Sequence, residues 1–124
     1  MIVGGIDPGK DGAIVVLDGK RIIFSSKTPV LRVGKGTKRE YDPTAMKELL
    51  DGFNFDLVMI EKQQSFPGQG VSSTFATGYG YGLWIGILSA SGISYEEVRP
   101  AAWSKVMLSG VSGKGKGAHI LAAK

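Results

Sequence analysis

Gly4-Gly5-Ile6-Asp7-Pro8-Gly9-Lys10-Asp11-Gly12, followed by the apolar run Ala13 to Leu17, decides the fold. Ile2 to Asp7 is apolar and β-prone, and it stops at Pro8-Gly9, a turn signal. Ala13 to Leu17 reads as a second strand, Asp18-Gly19 as a hairpin turn, and Arg21 to Ser26 as a third strand. Three short strands joined by tight turns make an antiparallel meander.

Beyond the meander, Val30 to Glu40 reads as a basic, mobile loop. Asp42 followed by Pro43 suits an N-cap with proline at the first helical position, opening a helix to about Leu50. Phe55 to Glu61 is nearly continuous apolar sequence ending in an acid, which predicts a central buried strand. Val71 to Ala90 predicts a long buried helix, Ser94 to Val98 a short strand, and Pro100 to Leu108 a short helix. Ser109 to Gly117 is a Gly- and Lys-rich loop, and Ala118 to Lys124 reads as the first turns of another helix. The expected architecture is an α/β layered fold, a mixed sheet with helices packed on it. The whole span 1–124 is expected to be one domain, incomplete in its last helix.

Composition narrows the function. Fifteen Lys and Arg against eleven Asp and Glu give a net charge of +4, which favours a polyanionic partner. There is no cysteine, which excludes disulfides and thiolate zinc sites and fits a reducing cytosol. Met1 leads straight into a strand-like run, so no secretory leader is expected and a cytoplasmic location follows. No charged residue lies between Lys62 and Glu96, yet the many Ser, Thr and Gly residues there argue against a membrane span. Charge is also unevenly placed. No carboxylate follows Glu97, whereas Arg99, Lys105, Lys114, Lys116 and Lys124 do.

Two acids end two strand-like runs: Asp7 the first, Glu61 the fourth, in Leu57-Val58-Met59-Ile60-Glu61. If those strands are neighbours, both carboxylates emerge at one edge of the sheet. Two carboxylates held close repel and call for a cation between them, and a hard, oxygen-seeking Mg²⁺ suits such ligands. The plainer alternatives are a turn-forming Asp-Pro-Gly and a solvated strand end.

Gly5-Ile6-Asp7-Pro8-Gly9, the second acid after an apolar strand, the Val98-Arg99-Pro100-Ala101-Ala102-Trp103 step and the Gly113-Lys114-Gly115-Lys116 segment together resemble RuvC-like Holliday-junction resolvases of the ribonuclease H superfamily. The short Asp7-to-Gly12 turn looks more like the bacteriophage members than the cellular ones. The resemblance implies a ribonuclease H-like mixed sheet, with three antiparallel meander strands plus parallel strands. It also implies a homodimer that cuts four-way branched DNA by symmetric, Mg²⁺-dependent hydrolysis, with Mn²⁺ as the alternative metal. Asp7 and Glu61 would be the catalytic residues and metal ligands. The family carries further carboxylates on a C-terminal helix, and this sequence has no acid after Glu97. That helix is therefore expected to be cut short at Lys124, with little or no junction cleavage by the chain as it stands.

Arg32, Lys35, Lys38 and Arg39, with Lys105, Lys114 and Lys116, are the expected phosphate contacts. The resemblance gives Phe66 a role in stacking on an unpaired base; a packed loop anchor is the alternative. Gly78, Gly82, Gly86 and Ala90 make one smooth helix face, expected to pack internally, with a dimer surface as the alternative. The lone His119 receives no role. Three functions compete: a junction endonuclease, a catalytically inactive junction-binding module, and an actin-like phosphotransferase domain. The last comes third because that fold needs a far longer chain.

Overall fold

The computed structural model describes residues 1–36 and 38–99. Their elements run β1 (Ile2–Asp7), β2 (Ala13–Asp18), β3 (Arg21–Lys27), β4 (Val30–Arg32), β5 (Arg39–Tyr41), α1 (Pro43–Asp51), β6 (Leu57–Glu61), α2 (Val71–Ala90) and β7 (Tyr95–Val98). The expected helices over Pro100 to Leu108 and Ala118 to Lys124, and the loop between them, lie outside the described residues.

The main sheet has the order β3-β2-β1-β6-β7. The meander strands pair antiparallel, and β6 joins β1, and β7 joins β6, in parallel. This is the expected mixed sheet. Strand β6 is shorter than its apolar run. Phe55 leaves the strand to pack beside Phe53, with ring centroids 5.5 Å apart, and Asp56 accepts the Ile2 N–H at 2.7 Å. The meander hairpin closes at Gly19, whose φ of 61° suits glycine.

One face of the sheet carries the core. Ile6, Ile14, Val58 and Ile60 are fully buried there against Met46 and Leu50 of α1 and Trp84 and Leu88 of α2. Helix α1 begins as its sequence demands: the Asp42 carboxylate accepts the Ala45 N–H at 3.1 Å, and Pro43 opens the first turn.

Two expectations need correction. Val30 to Glu40 is no simple loop: Val30, Leu31 and Arg32 pair antiparallel with Tyr41, Glu40 and Arg39 in a separate two-stranded sheet. Three pairs suffice because the Val33 N–H closes on Lys38 and the Asp42 N–H on the Pro29 carbonyl. Helix α2 spans the expected residues but is not buried along its length; Gly80, Trp84 and Leu88 are its buried positions. They lie four apart and so form one stripe. Val71 and Phe75 are 88% and 72% exposed. The Gly78-Gly82-Gly86 face meets nothing among the described residues; Gly80, on another side, makes the close approach, its Cα facing the Tyr41 ring. No helix among the described residues is long and apolar enough to cross a membrane.

Candidate metal and nucleic-acid site

In the parallel β1/β6 pair, Ile6 sits beside Ile60, so the next residues, Asp7 and Glu61, end the two strands side by side. Alternation sends Ile6 and Ile60 into the helix-covered core and turns both acids to the opposite face. The carboxyl groups are close enough to share a proton. Burial, first, and then the Glu61 charge and hydrogen bond push the Asp7 carboxyl up to about 7. The Gln63 side-chain amide donates to Glu61 Oε1 at 3.1 Å, fixing that carboxylate from the following loop.

The turn after Asp7 brings the chain back on itself. Gly12 N–H donates to the Gly9 carbonyl at 3.1 Å, and Gly9 has φ 131°. A side chain at Gly12 would collide with the Asp7 carbonyl, so this glycine sets the path of the backbone under the acid.

Asp11 does not fold back toward the pair. It is 88% exposed at its side chain and receives Arg39 Nη1 at 2.9 Å. The same guanidinium nitrogen reaches the Lys10 carbonyl at 3.4 Å, and Lys10 Nζ stands 5.7 Å from the Tyr41 ring centroid. Arg39 therefore fastens the β4–β5 hairpin to the turn that follows Asp7. Its charge is engaged, whereas Arg32 and Lys35 are exposed with no ion pair among the described residues; Lys38 reaches Glu40 only at 4.0 Å. The hairpin thus projects from the site's rim with three cations outward.

Phe66 is 62% exposed, so it is not a packed loop anchor. Its N–H donates to Gln69 Oε1 at 3.0 Å, and the Gln69 amide reaches Ser73 Oγ at 3.0 Å at the start of α2. Sequence reading passed over Gln63 and Gln69, because an amide's role depends on what the fold places beside it. Lys105, Lys114 and Lys116 lie outside the described residues.

The donor set suits a hard divalent cation: two adjacent carboxylates, one with its proton affinity raised by burial first and then by its neighbour's charge. Among the described residues no group of three or more His, Cys, Asp or Glu side chains is gathered.

No family model matches this chain, and no curated protein matches it. Solved structures do. The chain is similar to Thermus thermophilus RuvC in complex with a Holliday junction substrate, with a TM-score of 0.66 and 14% identity, over 98% of this chain and 88% of that one. A second structure of Thermus thermophilus RuvC matches with a TM-score of 0.53 and 18% identity, over 95% of this chain and 75% of that one. The chain shares the fold of these two structures, a mixed sheet with helices packed on it.

Proposed function

We propose that this chain is a structure-specific DNA endonuclease of the Holliday-junction-resolvase kind, acting as a homodimer on four-way branched DNA with Mg²⁺ or Mn²⁺. The observation that carries the reading is the Asp7–Glu61 pair at the ends of adjacent parallel strands, in a fold shared with a protein solved on a Holliday junction. Bound between these carboxylates, the cation would neutralise charge at the scissile phosphate and act as a Lewis acid. The chain's own residues do the rest. Gln63 holds the Glu61 carboxylate in one orientation. Arg32, Lys35 and Lys38, on a hairpin fixed to the rim by Arg39, meet phosphates away from the carboxylates. A bacteriophage-type enzyme working in the host cytoplasm is the finer form of this proposal.

A second reading, a junction-binding module without catalysis, is favoured by the absence of a third acid at the pair among the described residues. Metal-dependent hydrolysis ordinarily uses enough carboxylates for two cations. One experiment separates the readings: a synthetic four-way junction followed by gel shift and, in Mg²⁺, by denaturing gel. Paired nicks, even slow ones, that vanish in Asp7→Asn support the endonuclease. Junction binding with no nick above the Asp7→Asn background supports the module. Neither binding nor nicking removes both.

A further inference from the structure

The sheet register puts one cation on a level with the acidic pair. Ile6 stands beside Ile60 in the parallel β1/β6 pair, Asp7 is opposite Ala13 in β1/β2, and Ala13 is opposite Lys27 in β2/β3. Residues paired across neighbouring strands point to the same face of a sheet. Glu61, Asp7, Ala13 and Lys27 therefore form one row across β6, β1, β2 and β3, on the face away from the helices. The burial of β3 agrees: Phe24 packs against the core, whereas Arg21, Ile23, Ser25 and Lys27 alternate outward. Two strand spacings separate Lys27 from Asp7, about 10 Å between their Cα atoms. Ala13, between them, contributes only a methyl group.

The backbone of Lys27 is held on both sides. It pairs with Ala13, and the next residue, Thr28, is buried and donates its N–H to the Gly12 carbonyl at 3.1 Å. The Lys27 side chain is exposed, and its ammonium makes no ion pair with a described residue. The other cations around the turn after Asp7 are engaged, Arg39 with Asp11 and Lys10 over the Tyr41 ring. Arg39 first, and Lys27 more weakly, hold the Asp11 carboxyl below its ordinary range, and only Arg39 bonds to it. By taking Asp11, Arg39 leaves Lys27 without a partner beside the acids.

A lysine fixed at one level with two acids, and not paired with an acid, suits an anion that reaches both places. A strand of DNA is such an anion, because its phosphates recur at regular intervals. With one phosphate at the acidic pair, a neighbouring phosphate of a strand crossing the row falls within the sweep of the long lysine stem. The plainer role for Lys27 is that of an edge-strand charge that discourages pairing with another chain, which involves no DNA. We infer that Lys27 is a second phosphate seat, holding a phosphate that neighbours, on the same strand, the one placed at Asp7 and Glu61. The inference rests on the junction-nuclease reading, which supplies the strand.

The test is a gel-shift titration of the 124-residue protein on synthetic four-way junctions with Ca²⁺. One junction is unmodified; in each of the others a single phosphate near the branch is a neutral methylphosphonate. Lys27→Gln changes an exposed position, so folding is not at stake. On the unmodified junction it should weaken binding by about tenfold at low salt and lower the slope of log affinity against log salt by about 1 in magnitude. Lys27→Arg should restore both. One methylphosphonate should weaken the wild type by a similar factor and Lys27→Gln no further, because the contact it removes is already gone. Unchanged affinity and slope in Lys27→Gln, while the wild type binds junctions, would overturn the inference and leave the nuclease reading intact. A loss in Lys27→Gln that adds to the effect of every methylphosphonate would overturn it too, since the lysine would then act only through overall charge. A wild type that binds no junction would remove the nuclease reading and the inference with it.

Discussion

At the scale of single residues, Asp7 carries the most information. Burial first, and then Glu61, push its carboxyl up to about 7. The folded pKa lies above the unfolded value, so the folded, metal-free protein holds this proton more tightly than the unfolded chain. The associated stability is fully present below about pH 4 and is lost as pH rises through about 7. Thermal unfolding in EDTA should therefore show stability falling over that window. Asp7→Asn removes the titrating group, so it should flatten the fall. At pH 8 it should be more stable than wild type by about 1 kcal/mol, a figure reduced for solvent screening of a partly exposed group. A variant less stable than wild type at pH 8 would mean that the ionised carboxylate has a compensating partner.

The role of Gln63 is equally local. Its amide holds Glu61 at 3.1 Å, so Gln63→Ala should free that carboxylate to rotate. Second partners of ligating groups typically matter by about 10-fold to 100-fold in metal affinity. Divalent-cation binding by Gln63→Ala should fall by about tenfold, with recovery in Gln63→Asn only if the shorter amide still reaches. An unchanged affinity would show that Glu61 does not depend on its neighbour.

Among the elements, the strands were the most legible and the faces of α2 the least. The runs from Ile2 to Asp7 and from Leu57 to Glu61 announce themselves by apolar continuity and by the acids that end them. Pairing those ends needed only the parallel neighbourhood of β1 and β6. The β4–β5 hairpin was hidden because its three pairs flank a Gly- and Lys-rich tip that reads as a loop. The Arg39–Asp11 ion pair was hidden for the same reason: 28 residues separate the partners, and only the hairpin brings them together. In α2, aromatic and aliphatic residues occur on every side, and the stripe that does stand out, Gly78-Gly82-Gly86, meets nothing among the described residues. The contact that matters is Gly80 beneath Tyr41, two residues from the regular Gly78-Gly82-Gly86 series.

That difference can be measured. A methyl at Gly80 would enter the Tyr41 ring, so Gly80→Ala should destabilise the protein by about 1–3 kcal/mol despite the better helix propensity of alanine. Gly82 has open space among the described residues, so Gly82→Ala should stabilise by up to about 1 kcal/mol. Urea denaturation of both variants decides between them. A loss at Gly82 would reveal a packing partner on that face beyond the described residues.

The hairpin makes its own prediction. Arg39 is engaged with Asp11, so the phosphate contacts proposed for the tip would fall to Lys35 and Lys38. Replacing both with Ala should lower the slope of log affinity against log salt for four-way DNA by about 2 in magnitude. An unchanged slope would show that the tip does not touch DNA.

At the scale of the whole molecule, the fold, the basic excess and the acidic pair point the same way. A net charge of +4 favours a polyanionic partner, while two acids held together at one edge of the sheet would repel such a partner unless a cation joins them. The central claim is thus that Asp7 and Glu61 together hold a divalent cation. The most direct measurement is an Mg²⁺ titration of the 124-residue protein, following its backbone amide resonances. The expected result is saturable shifts centred on Asp7, Gly9, Glu61 and Lys62, absent in Asp7→Asn while that variant remains folded. Shifts spread evenly over the acidic surface, or a response unchanged by Asp7→Asn, would contradict the claim.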